Sequence, residues 1–266
     1  MIMPRDEDSQ RSKRPNRSAA AAQLLAERKK NQTAVGATLL HMSEKIGVVE
    51  QTRLAPEFQT ALEHYEDYQK MMVRTIQRLE TILQPNSTIL ETGAIESEER
   101  SDPYEVAAQT IKMTRHMMPE KEQTAMAAVE AMFKRMAILN RECQLKGRRA
   151  IRKSRRFVAA EYNTMKENEK NMMEHRDMMD TARHELKGTR TALEVEEKGQ
   201  VYEEAVRQFD EQAGIIWNDC ERLVADKANH QRELLDWFEV RARHHQQVVL
   251  MIEQNLKRLG ISTKQH

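Results

Sequence analysis

The sequence predicts an all-α chain made of a few long helices, packed as an antiparallel three-helix coiled coil. Three observations carry this expectation. Over 266 residues there are eight Gly and six Pro against 17 Met and abundant Glu, Lys, Gln and Ala, so helix formers dominate and turn formers are scarce. Apolar residues recur every seven positions over long distances, which keeps one seam in register along a helix. Pro56, Pro85 and Pro103 fall where such helices would begin or end.

Residues 1–18 are polar, mixed in charge and contain Pro4 and Pro15, the composition of a flexible tail. Residues 19–48 are a candidate amphipathic helix. There "AAAAQLLAERKK" has high helix propensity, and Val35, Leu39, Met42 and Ile46 follow at helical spacing, interrupted by Gly36. The helical domain is expected over 49–262. Its first helix opens at Pro56, a favourable first-turn residue, and carries Phe58, Leu62, Tyr65, Met72, Ile76, Leu79 and Leu83 at steps that alternate between three and four, with Gln69 as the polar member. It stops at "QPN", because Pro85 cannot continue the hydrogen-bond ladder. The stretch "STILETGAIESEERSDP" reads as a loop or weak element with an acidic centre.

Pro103 starts a second stretch, expected from Tyr104 to Lys198 with Pro119 as the candidate interruption. Its later half places Met165, Met172, Met179, Leu186 and Leu193 at a strict stride of seven, a seam for a long partner helix. Gly199 is expected to turn the chain into the third helix. There Tyr202, Phe209, Ile216, Leu223, His230, Trp237, His244 and Met251 keep the same stride. Three slim helices bury little per residue, and His230 and Lys227 interrupt the seam, so a second chain is expected to complete the bundle as a dimer.

Several functions are excluded or disfavoured. The sequence holds no Gly-rich phosphate loop, no His-x-x-x-His pair with a nearby acid and no nucleophile elbow, so no catalytic residue, metal site or cofactor is expected. His244 and His245 are neighbours, about 100° apart on a helix, which suits packing or solvation better than a shared metal. Cys143 and Cys220 are far apart inside helical patterns and read as core residues of a chain in a reducing, cytoplasmic compartment. No window approaches the roughly 18 apolar residues of a membrane span, so any membrane contact is expected to be peripheral.

One stretch stands out. "KGRRAIRKSRR", from Lys146 to Arg156, holds seven basic residues in a chain whose net charge is only +1. On a helical wheel Lys146, Arg149, Lys153 and Arg156 form one stripe and Arg148, Arg152 and Arg155 an adjoining one, while Gly147, Ala150, Ile151, Ser154 and Phe157 occupy the opposite half. The run is amphipathic. A solvated face, a nucleic-acid patch and a surface for an anionic leaflet are the competing uses. Seven like charges repel one another unless a polyanion faces them, which favours the last two. No aromatic is interleaved on the basic face and the whole chain is near neutral, which disfavours nucleic acid.

A series of segments in order also resembles a known family. "SEKIGVVEQTRLAPEF" and "RTIQRLETILQPN" are similar to the opening and first long helix of the N-BAR domain of endophilins. "RRFVAAEYNTM" and "HRDMMDTARHELK" resemble its second helix, most of all in B-type endophilins, and "QFDEQAGI" with "LLDWFEVRARHHQQ" resembles the third. The resemblance implies a BAR-type homodimer, a six-helix crescent that binds anionic phospholipid membranes and bends them in endocytosis or in vesicle and organelle shaping. The membrane-binding residues would be Lys146, Arg148, Arg149, Arg152, Lys153, Arg155 and Arg156, with Arg28, Lys29 and Lys30 near the N-terminal helix. The seam and dimer packing would fall to Phe58, Leu62, Tyr65, Met72, Ile76, Leu79, Met165, Met172, Met179, Leu186, Phe209, Ile216, Leu223 and Trp237. An alternative is a regulatory coiled-coil protein that forms heterodimers with full-length relatives.

The chain departs from that family in four respects. Its "TAVGATLLH" carries no Lys or Arg; its insert "ETGAIESEERSD" is acidic; no proline follows Pro119, whereas the family carries one near the position of the basic run that helps to bend its second helix; and the sequence ends at His266, so an SH3 domain is expected to be absent. The missing proline predicts shallower curvature.

Overall fold

The computed structural model describes residues 51–261. The tail expected at 1–18 and the amphipathic helix expected at 19–48, with Arg28, Lys29 and Lys30, lie outside the described residues. Among the described residues there are seven α-helices, one π-helical turn and no strand. The chain is all-α, as its composition predicts.

Helix α1, Pro56–Leu83, starts and stops where the prolines place its ends. Beyond it, the short α2, Ser87–Glu91, is capped by the Asn86 side chain, which accepts from the Thr88 N–H. Helix α3, Pro103–Arg115, is capped by Asp102 with proline in its first turn, and α4, Glu120–Ala150, begins directly after Pro119. A break at Ile151 (φ −99°, ψ 25°) separates α4 from α5, Arg152–Arg156. A π-helical turn, Phe157–Glu161, then leads into α6, Tyr162–Lys187. Helix α7, Ala192–Arg258, is the longest at 67 residues.

The turn into the last helix corrects the sequence reading. It lies at 188–191, not at Gly199, which sits inside α7. Leu193, expected to close the heptad seam of the second helix, is instead 69% exposed in the first turn of α7. The cause is local capping. Thr191 accepts from the Glu194 N–H at 3.3 Å and donates to the Glu194 carboxylate at 2.8 Å, so "TALE" is a capping box that opens a helix eight residues before Gly199. Once that helix is running, Gly199 costs it about 1 kcal/mol and does not stop it.

The chain divides into two compact units, 1–61 with 164–220, and 62–163 with 221–266. In the described part of the first, Met165, Met172 and Met179 of α6 and Ile216 of α7 are buried, and Leu186 and Phe209 are half-buried. Met179, Ala182 and Ala205 form a cluster covered by Val201, Tyr202, Val206 and Phe209, and Phe58 stacks on Trp217 at 6.1 Å. Asp180 is buried without a hydrophobic role: it accepts from the Thr52 N–H at 2.8 Å and the Thr52 hydroxyl at 2.6 Å, and pairs with Arg183 at 2.9 Å. Those bonds fasten the segment before α1 onto α6.

In the second unit, α1 and α4–α5 run antiparallel, with Leu83 against Gly147 and Tyr65 against Phe157. Helix α7 is antiparallel to α4–α5 as well, since Glu233 meets Ser154 and Arg241 meets Cys143. Leu62, Tyr65, Met72, Ile76 and Leu79 of α1 are buried there with Leu223 and Trp237 of α7. Gly147 makes room for Leu83. A Cβ at that position would stand 2.7 Å from a Leu83 methyl, so a larger residue would force the buried Leu83 side chain to shift. Polar bonds close the helix ends: Gln144 donates to the Leu83 carbonyl at 3.1 Å, and the buried Asp102 accepts from the Tyr104 N–H and from Asn140, both at 2.9 Å.

The acidic segment after α2 is built into this unit. Arg141 grips Glu105 through two bonds of 2.7 and 2.6 Å and also donates to the Glu98 carbonyl, while Gln84 holds the Ile95 carbonyl and the Ser97 hydroxyl. The Arg141 guanidinium holds the Glu105 carboxyl below its usual range.

Candidate functional site

The break at Ile151 positions everything around it. Interrupting the helix frees the N–H groups of Lys153 and Ser154, which would otherwise be buried without partners. Glu233, reaching across from α7, supplies both: its carboxylate accepts from the Lys153 N–H at 2.8 Å, the Ser154 N–H at 2.8 Å and the Ser154 hydroxyl at 2.7 Å. Ile151, Ser154 and Phe157 form the buried side of the segment. Phe157 lies in a box of aromatic rings, 5.5 Å from Tyr65, 5.6 Å from Tyr68 and 5.2 Å from His230. Tyr68 and His230 also stack on each other and share a 2.9 Å hydrogen bond between the phenol and Nδ1. Burial holds the His230 imidazole below the ordinary histidine range and pushes the Tyr68 phenol up to about 12.

With that face turned inward, the basic residues separate into two groups. Arg148 and Arg155, the adjoining stripe less Arg152, turn to Glu80 of α1 and bind the same carboxylate oxygen at 2.9 Å each. Arg148 also donates to the Gly93 carbonyl at 2.7 Å and is only 17% exposed. These two are structural clamps between α1 and the broken helix. The other five, Lys146, Arg149, Arg152, Lys153 and Arg156, are exposed.

The run itself holds no acid, but the fold brings acids to it. Lys146 pairs with Glu142 at 2.9 Å and Arg156 with Glu161 at 2.7 Å, and Glu80 answers two arginines. Glu142 and Glu161 stand just outside the eleven residues, near their partners in the chain, whereas Glu80 is far away. Three cations, Arg149, Arg152 and Lys153, have no ion-pair partner among the described residues. They stand together on the outer side of the break.

No group of His, Cys, Asp or Glu among the described residues is placed to hold a metal ion. No helix of the described residues is long and apolar enough to cross a membrane. The model of one family, the BAR domain, matches residues 38–260. The chain belongs to the BAR domain family. No curated protein matches it.

BAR domains are membrane-binding helical modules that typically dimerise, so membership gives this chain a function related to membrane curvature. The matched span includes the whole broken-helix region and the turn at 188–191. In this BAR domain the exposed cations sit opposite the packed face, where a surface could meet them.

A second exposed feature is apolar. Along α7 of the second unit, Leu235, Phe238 and Val249 are 64%, 60% and 52% exposed and recur near one helical azimuth. That stripe is set about a third of a turn from the buried side carrying Trp237 and Met251. A groove of about 450 Å³, lined by Ile138, Leu139, Leu250 and Met251 among others, lies between α4 and α7.

Proposed function

We propose that this BAR domain is a peripheral protein of the endophilin N-BAR type. It binds the anionic cytoplasmic leaflet and senses or induces curvature there, in endocytosis or the shaping of vesicles. One observation supports the reading above the others: Arg149, Arg152 and Lys153 are exposed and have no ion-pair partner among the described residues, in a chain of this family. A basic residue near an anionic leaflet contributes about 1 kcal/mol, so three contribute roughly a 100-fold gain in partitioning.

Co-sedimentation with vesicles containing phosphatidylserine tests it. Exchanging Arg149, Arg152 and Lys153 for Gln should reduce binding about 100-fold at low salt. Binding by the intact chain should weaken as salt rises. Equal pelleting of the variant and the intact chain would reject the reading.

The homodimer is part of the same proposal. Apolar surface as concentrated as Leu235, Phe238 and Val249 is the kind that a second copy covers in a two-fold assembly. Leu235→Asp with Phe238→Asp should yield monomers in sedimentation equilibrium at micromolar concentration, with helical circular dichroism retained. A dimer that survives both changes would place the contact elsewhere.

A further inference from the structure

His230 is a buried titratable group one helical turn from the residue that holds the break. Only 3% exposed, its ring packs on Tyr68 of α1 at 5.9 Å and on Phe157 of the π-helical turn at 5.2 Å, and Nδ1 lies 2.9 Å from the Tyr68 phenol oxygen. Three positions further along α7 is Glu233, the carboxylate that accepts from the Lys153 and Ser154 N–H groups. Residues three apart are neighbours on a helix surface, so the imidazole and the acid that fixes the backbone path stand side by side.

A neutral imidazole suits this place. Lys153 faces it from α5, Arg152 and Arg156 line the same cavity of about 400 Å³, and the Lys227 ammonium lies 5.0 Å from the Tyr68 ring. The acids around it are Asp226 and Glu233 of α7 and Glu161 of the π-helical turn. Each of these has another partner: Asp226 pairs with Arg222 at 3.5 Å, Glu161 with Arg156 at 2.7 Å, and Glu233 accepts three hydrogen bonds across the break. Burial outweighs the pull of the acids and holds the imidazole below the ordinary histidine range. The Tyr68 phenol, pushed up to about 12, stays neutral and offers no countercharge.

A proton added to His230 changes what the ring demands. The imidazolium carries N–H on both nitrogens, so Nδ1 can only donate to the phenol, and a buried positive charge calls for a negative one beside it. Of the three acids Glu233 alone is buried with it, where attraction is least screened. We propose that His230 is a proton-operated release for the helix break: once protonated, it draws the Glu233 carboxylate off the Lys153 and Ser154 N–H groups, and the segment from Arg152 to Glu161 loosens. The folded chain takes up this proton less readily than an unfolded one. The stability of the break is therefore complete above the ordinary histidine range and is lost as pH falls through it. Arg152 and Lys153 are carried on that segment, so acidification also changes how they are presented. The device belongs to the chain itself and does not rest on the membrane reading.

The test uses the full chain without lipid. Amide hydrogen exchange, corrected for the intrinsic effect of pH, is compared at about pH 7.5 and about pH 5.5, a range in which histidine is the side chain that ordinarily titrates. Protection across 152–161 should fall severalfold at the lower pH. His230→Asn keeps an acceptor near the position of Nδ1 and His230→Phe keeps the ring; each should show the same protection at both pH values, and so should Glu233→Gln, which has no charge to be drawn. A break equally protected at both pH values in the intact chain overturns the proposal, and so does a pH response that persists in the His230 variants or in Glu233→Gln. Should the variants fail to fold, the intact chain still decides. With isotope-labelled histidine and serine, the His230 ring and the Ser154 amide should titrate in nuclear magnetic resonance spectra with one midpoint, and a Ser154 amide that does not follow the ring overturns the proposal.

Discussion

Urea unfolding of Glu233→Ala is expected to show a loss of about 3–5 kcal/mol, the largest effect of any polar substitution in the second unit. The carboxylate is buried and accepts three hydrogen bonds, two from backbone N–H groups at a helix break and one from the Ser154 hydroxyl. Removing it leaves those donors buried with no partner, which costs about 1–3 kcal/mol for each orphan that water cannot reach. Glu233→Gln preserves the size and one acceptor oxygen, and should lose roughly half as much. Ser154→Ala removes one of the three bonds and should cost about 1 kcal/mol. An Ala variant as stable as the intact chain would show that Glu233 does not hold the break. The comparison requires a fixed protein concentration, because any self-association would contribute to apparent stability.

Phe157→Ala should be equally severe, at about 3–5 kcal/mol, by a different route. The ring is buried between Tyr65, Tyr68 and His230, and its loss leaves a cavity walled by rigid aromatics that cannot collapse into it. Phe157→Leu fills part of that space and should cost about 1–2 kcal/mol. The two substitutions therefore separate volume from aromatic geometry. A Leu variant as damaged as the Ala variant would point to ring stacking as the dominant contribution. Because Phe157 opens the π-helical turn, the Ala variant should also increase amide hydrogen exchange from 157 to 161 before it affects α1.

The helices were legible from the sequence where local chemistry and periodicity agree. Pro56 and "QPN" set both ends of α1, and the alternating steps from Phe58 to Leu79 mark the residues that turn inward. The turn at 188–191 was visible in principle as the Thr191–Glu194 capping box, but Gly199 and the stride of seven through Leu193 were the louder signals. A seven-residue repeat identifies a helix without saying where it stops. The break at Ile151 could not be read locally, since no proline or glycine marks it; its stabilising partner is Glu233, 79 positions beyond Ser154. For the same reason the basic run looked uncompensated. The run itself holds seven cations, and only the fold shows that Glu80 pairs with both Arg148 and Arg155.

A proline break is fixed by a covalent ring and stays the same in every state of the chain. At Ile151 the interruption is held by a side chain borrowed from another helix, so the local backbone path depends on a contact that one substitution can remove. A residue on α7 then controls how the cations of α5 are presented at the surface. A change in how the basic run is presented need not appear in the run itself. It would be written at position 233, in whether an acid is there to hold the neighbouring helix open.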